Sequence, residues 1–203
     1  MKKYNFLFFA VILFVGCNNV NTTAVSNNLD EGKGSVAKNS AVAPESIFNL
    51  TDTFQTQKKN NIVLASLSGK PTVVGMIFTN CGYACPHLTA DMKNIAAKLK
   101  GNREKVNFAL VSFDTDRDNP EQLQKFASMM DLDKDWILLH GNEQAIRTLS
   151  VLLNLQFDKD AEGNFSHSNL ISVLDKNGML VYQKEGLDAD HVETVDKINE
   201  LLK

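Results

Sequence analysis

The chain has 203 residues, of which 43% are hydrophobic and 22% charged, with a formal net charge of −3. That is apolar material enough for one globular domain with an ordinary core. The mild acidity, with no basic stripe, excludes nucleic acid as a partner, and three cysteines allow too few bridges for a disulfide-stapled scaffold.

Lys2 and Lys3 precede an apolar run from Phe6 to Val15. This is the charged start and apolar centre of an export signal, too short for the roughly 20 residues of a membrane-spanning helix. Residues 1–16 are therefore expected to be a signal peptide. They end in FVGC, which resembles a bacterial lipobox with Cys17 as the lipidated residue, although Phe14 stands where Leu is usual. Acyl chains on Cys17 would hold the protein on a membrane surface, at about 0.8 kcal/mol per buried methylene. The implied location is a bacterial cell envelope, with the domain on the periplasmic side; cleavage without lipidation would instead release a free exported protein. Removing Lys2 and Lys3 takes the charge from −3 to −5.

Residues 17–44 are rich in Asn, Ser, Thr and Ala, lack aromatics and show no apolar period, as expected of a flexible linker. The domain is expected over 45–203. SIFNL, TFQTQ and NIVLASL predict short strands, with KKNN as a hairpin tip. PTVVGMIF, residues 71–78, predicts a central strand buried on both faces. Leu88, Met92, Ile95, Ala96 and Leu99 then mark one stripe of a helix over 86–99. VNFALVSF predicts the next strand, and Asn119 with Pro120 the cap and first turn of a helix carrying Leu123, Phe126 and Met130. WILLH predicts a strand, with Trp136 in the core, and Glu143–Leu153 a helix. SNLISVLD, the turn KNG and MLVYQKEG predict a hairpin, and Val192–Leu202 a closing helix. The order implies parallel strands joined by crossover helices with a final antiparallel pair: an α/β, thioredoxin-like three-layer fold with a small N-terminal β extension.

Cys81 and Cys85 fall where the strand at 71–78 gives way to a helix. Thiols at a helix start lie near its backbone N–H groups and positive end, which lowers thiol pKa. With three residues between them, one more than in a thioredoxin-type pair, both sulfurs can face one ion while a Cys81–Cys85 disulfide stays available on oxidation. His167, in FSHSNLISVLD, is expected at the junction of an exposed loop and a strand. Two thiolates and one imidazole suit copper as Cu(I) or Cu(II); an oxidised pair without metal is the plainer alternative. The 82 positions between Cys85 and His167 would cost about 4 to 5 kcal/mol to close in a flexible chain, so the fold is expected to bring them together.

VGMIFTNCGYACP, VSFDTDRDNPEQLQKFA and HSNLISVLDKNGMLVYQKEGL, in that order, resemble the Sco/SenC family, thioredoxin-like copper-binding proteins that assist assembly of the copper centre of cytochrome c oxidase. The resemblance runs from about Ser46 to the C-terminus. It implies copper as the bound ion and metallochaperone activity, with a cytochrome c oxidase subunit as the copper-accepting partner. A thiol-disulfide oxidoreductase that keeps that partner's cysteines reduced is the enzymatic alternative. Cys81 and Cys85 match the family's cysteine pair, His167 its distal copper-ligand histidine, and Asp114 the acidic residue of its SxDPxRD segment. Gly82, Thr115 and Ser166 depart from the family's usual Pro, Pro and Asp.

The other groups read more plainly. His87, early in a helix, points away from the pair; His140 ends a strand; His191 faces solvent near the last helix. Asp114, Asp116 and Asp118 lack EF-hand spacing and read as a solvated loop, with Asp114 kept as a neighbour of the site.

Overall fold

The computed structural model describes residues 43–185 and 187–203. The expected signal peptide, Cys17 and nearly all of the expected linker lie outside the described residues.

A seven-stranded sheet forms the middle layer, in the order β2-β1-β5-β4-β3-β8-β9. Its strands are β1 (Phe54–Thr56), β2 (Asn61–Ile62), β3 (Thr72–Ile77), β4 (Asn107–Ser112), β5 (Trp136–His140), β8 (Leu170–Leu174) and β9 (Leu180–Glu185). β3, β4 and β5 are parallel, while β1 on one side and β8 with β9 on the other run antiparallel to their neighbours. The helices are α1 (Ala84–Lys98), α2 (Pro120–Met129), α3 (Glu143–Leu152) and α4 (Val192–Leu201).

Alternation along the strands divides the core. Val73, Phe108, Leu110, Leu138 and Val173 meet Leu88, Met92 and Ile95 of α1, Leu123 and Phe126 of α2, and Ile198 of α4. On the other face Val74, Met76, Val111 and Leu139 meet Ile146 and Leu149 of α3 and the N-terminal residues Ile47, Phe48 and Leu64. Each buried aliphatic or aromatic side chain contributes about 1.5–3 kcal/mol. β3 is buried along its whole length, as its unbroken apolar run requires. Asn119 and Asn142 cap α2 and α3, accepting from the N–H groups of Gln122 and Ala145.

Two expectations change. SIFNL is not a strand: Ser46 Oγ accepts the Phe48 N–H, which closes a 3-10 turn over Ile47–Asn49. NIVLASL pairs only at Asn61–Ile62 and then turns as a 3-10 helix over Leu64–Leu67. A separate two-stranded hairpin, β6 (Phe157–Lys159) with β7 (Phe165–His167), also stands between α3 and β8, where the sequence showed only a loop.

Candidate metal centre

The cysteine loop leaves the carboxyl end of β3, where loops of parallel sheets commonly carry function. α1 lies so close over β3 that a Cβ on Gly75 would fall 2.8 Å from Met92 Sδ, so the start of the helix is firmly placed. Tyr83 occupies the N-cap position and offers the helix no side-chain acceptor. Cys81 supplies one instead: its Sγ accepts the Cys85 N–H at 3.3 Å. Cys85 Sγ in turn accepts the Phe78 N–H at 3.4 Å. Each sulfur thus satisfies a backbone donor, which brings the pair together at the helix start. Both cysteines are free thiols; Cys81 is half-buried and Cys85 fully buried.

The expected lowering of thiol pKa fails at Cys85. Burial pushes its thiol well above the ordinary range; the Phe78 N–H opposes this, while Cys81 and, last, the Asp118 carboxylate add to it. Desolvation outweighs the helix end here because the sulfur has no contact with water.

His167 ends β7, paired across the hairpin with Phe157. Its Nδ1 lies 3.2 Å from the Ser168 carbonyl oxygen. An N–H at Nδ1 donating to that oxygen leaves Nε2 with a free lone pair, the tautomer that ligates through Nε2. The ring sits 4.9 Å from the Phe113 centroid and edge-on to Phe78 at 6.1 Å. Phe78 also packs on Phe113 and Phe165, at 5.4 and 5.1 Å. The residue that donates its N–H to Cys85 therefore touches the histidine with its ring.

Cys81 and Cys85 are brought together, and Phe78 links them to His167, bonding Cys85 with its N–H and meeting the imidazole with its ring. Among the described residues, no three His, Cys, Asp or Glu side chains are grouped closely enough to hold an ion.

The β4–α2 turn departs from the expected solvated loop: Asp114 and Asp118 are buried, and of the three aspartates only Asp116 is exposed. Asp118 accepts the Thr79 N–H at 2.9 Å, the Thr79 hydroxyl and the Ser112 hydroxyl at 2.5 Å. Asp114 pairs with Arg117 Nε and lies 3.7 Å from Lys159 Nζ. Thr79 and Lys159, tens of residues away, join the nearby Ser112 and Arg117 in offsetting the burial of these carboxylates, and no local pattern reveals those distant donors. Asp114 stands against the hairpin that carries His167.

His87 places Nδ1 3.1 Å from Asp188 Oδ1, with its ring 4.6 Å from that of Tyr83. His140 ends β5 as expected. His191 does not face solvent: it is 2% exposed, with Nε2 3.3 Å from Asp91 Oδ2, an oxygen that accepts the Asp188 N–H at 2.9 Å. The segment before α4 folds back onto α1, which sets the ring beside the buried Asp91 carboxylate.

The family profile described as SCO1/SenC matches residues 37–203. The SCO1 protein homolog of Bacillus subtilis (strain 168) is 40% identical over 94 residues, a match covering 46% of this chain and 49% of that protein, so the chain spans about half that relative's length. A SCO1/SenC family lipoprotein from Bacillus anthracis str. Ames superposes with a TM-score of 0.69 at 27% identity, covering 74% of this chain and 92% of the other. Bradyrhizobium japonicum ScoI, solved with copper bound, superposes with a TM-score of 0.64 at 22% identity, covering 74% and 96%. The architecture is the thioredoxin-like α/β fold of these proteins, and the chain belongs to the SCO1/SenC family.

Proposed function

We propose that this chain is a copper-binding metallochaperone that delivers copper to a membrane or periplasmic copper enzyme, the copper centre of cytochrome c oxidase in the first place. Cys81 and Cys85 bind the ion as thiolates and His167 completes the site through an imidazole nitrogen. Ligand exchange then passes the ion on, with no substrate bond broken. The observation that carries this reading is the sulfur pair at the start of α1, linked through Phe78 to the ring of His167. Two soft sulfurs and an imidazole accommodate both Cu(I) and Cu(II). The copper-bound ScoI structure, of the same fold, agrees with it. Since three donors are not grouped in advance, binding draws the β6–β7 hairpin toward the cysteines.

Titration of the reduced, metal-free protein with Cu(I) and Cu(II) tests the reading. Tight binding of one ion per chain is expected, abolished by Cys81→Ser and weakened at least tenfold by His167→Ala; unchanged affinity in His167→Ala removes the histidine from the site. In cells, loss of oxidase activity in Cys81→Ser supports delivery to the oxidase. A lipid on Cys17, read by mass spectrometry of the mature N-terminus, would anchor the domain at the envelope. No helix among the described residues is long and apolar enough to cross a membrane.

The contrast between half-buried Cys81 and buried Cys85 favours a second reading, thiol-disulfide exchange with one attacking and one resolving thiol. His167→Ala would leave that activity largely intact.

A further inference from the structure

The two arms of the proposed site are tied down by one short turn. After β4 the chain runs through Asp114 and Asp118, joined by the Asp118 N–H donating to the Asp114 carbonyl oxygen at 3.0 Å. Asp118 reaches toward the cysteine arm, where it takes both donors of Thr79, two residues before Cys81. Asp114 reaches the other way. Its carboxylate holds Arg117 Nε, and Arg117 Nη2 donates to the Gly163 carbonyl oxygen at 2.7 Å, in the tip of the hairpin that carries His167. The guanidinium also lies 5.6 Å from the Phe165 ring, and Lys159 of β6 bonds Asp116 at 2.6 Å. Ser112 locks the turn to β4, accepting the Asp114 N–H at 3.1 Å while donating to Asp118.

The geometry points to Arg117 and Asp118 as positioning residues that set the two arms separately: Arg117 latches the histidine hairpin, and Asp118, through Thr79, fixes the cysteine loop. This rests on the reading that Cys81, Cys85 and His167 take the ion. Neither residue touches the metal; each decides where a ligand-bearing segment rests before and after capture. Arg117 needs its planar fork, because Nε and Nη2 serve two acceptors at once, and a lysine with one point of attachment cannot hold both.

The test uses the full chain, reduced and metal-free, with Arg117→Lys, Thr79→Val and Thr79→Ser. Three quantities are followed: amide hydrogen exchange across residues 157–167, the rate at which oxidised glutathione closes the cysteine pair, and Cu(I) affinity by competition with a chromophoric chelator. In Arg117→Lys the hairpin amides are expected to exchange faster and Cu(I) affinity to fall by about 10- to 100-fold, with the rate of disulfide closure unmoved. In Thr79→Val the closure rate shifts and affinity falls while the hairpin amides keep their protection, and Thr79→Ser, which retains the hydroxyl, restores both. Variants that disturb both arms alike, or neither, overturn the assignment. Failure of the unsubstituted protein to bind Cu(I) would sink the copper reading instead, and the exchange and closure rates would still decide whether one turn holds two independent arms.

Discussion

Cys85 shows how position within the first helical turn decides what a thiol does. The helix end and the Phe78 N–H favour a thiolate, but full burial opposes it more strongly, and the thiol stays protonated well past its ordinary range. The sign of the consequence follows from proton counting. Above about pH 8.5 the unfolded chain loses this proton while the folded one keeps it, so stability falls as pH rises, by about 1.4 kcal/mol per unit until the raised native value is reached. Urea unfolding of the reduced, metal-free protein at pH 7.5 and 10 should therefore show about 2 kcal/mol more loss than the same comparison in Cys85→Ser, whose hydroxyl does not titrate. Equal losses would mean that Cys85 is not held as a buried neutral thiol. The same residue scale marks what the sequence could reveal. Cys81, Cys85 and His167 stand out because their side-chain chemistry is rare in combination. The burial of His191 and Asp118 does not, because it is set by Asp91 and Thr79 on distant segments, and at Asp114 distant Lys159 adds to the neighbouring Arg117.

Elements with a sustained apolar period were legible almost to the residue: WILLH is β5, one helix begins at Pro120 as the Asn119 cap dictates, and the next begins at Glu143 as expected. The three segments where structure and expectation differ, SIFNL, NIVLASL and the β6–β7 hairpin, are short ones. Three-residue strands such as β6 and β7 carry too few alternations to register, and SIFNL has the composition of a strand while its Ser46 hydroxyl closes a turn. That turn is also locked from outside: Ser46 Oγ donates to the Asn177 carbonyl oxygen at 2.5 Å, and the Ile47 N–H donates to Gly178 O at 3.1 Å. Gly178 has φ +79, and a Cβ there would meet both the Phe48 ring and Ser46 Oγ at 2.8 Å. Gly178→Ala should therefore destabilise by about 1–3 kcal/mol, from backbone strain and the clash together. The clash can be separated by measuring Gly178→Ala in a Phe48→Ala background, where its cost in urea unfolding should shrink. Strictly additive costs would show that the N-terminal turn does not press on the β8–β9 hairpin.

At the scale of the molecule, the topology brings three loops to one end of the sheet: the cysteine loop after β3, the carboxylate turn after β4 and the hairpin before β8. The sequence made this convergence legible through the order of its strands and helices. It left illegible the gap that remains between His167 and the sulfurs, because the resting place of a small hairpin is set by Arg117, Lys159 and a cluster of rings rather than by any periodic pattern. That gap has a measurable consequence if copper is the cargo. An ion that binds only the folded chain adds about 2.7 kcal/mol when free ligand stands at 100 times its dissociation constant, which for a domain of this size raises Tm by roughly 5–10 °C. Were the cysteines alone to hold the ion, the rise would survive loss of the imidazole. If the hairpin must close on the ion, His167→Ala should lower the affinity and, at the same copper concentration, remove about 1.3 kcal/mol or more of the gain, in step with the tenfold or greater weakening expected of that variant. Scanning calorimetry of both proteins, reduced and at matched Cu(I) activity, separates the cases: an equal rise in Tm would confine the site to the start of α1, and a diminished one requires that the two arms meet on the same ion.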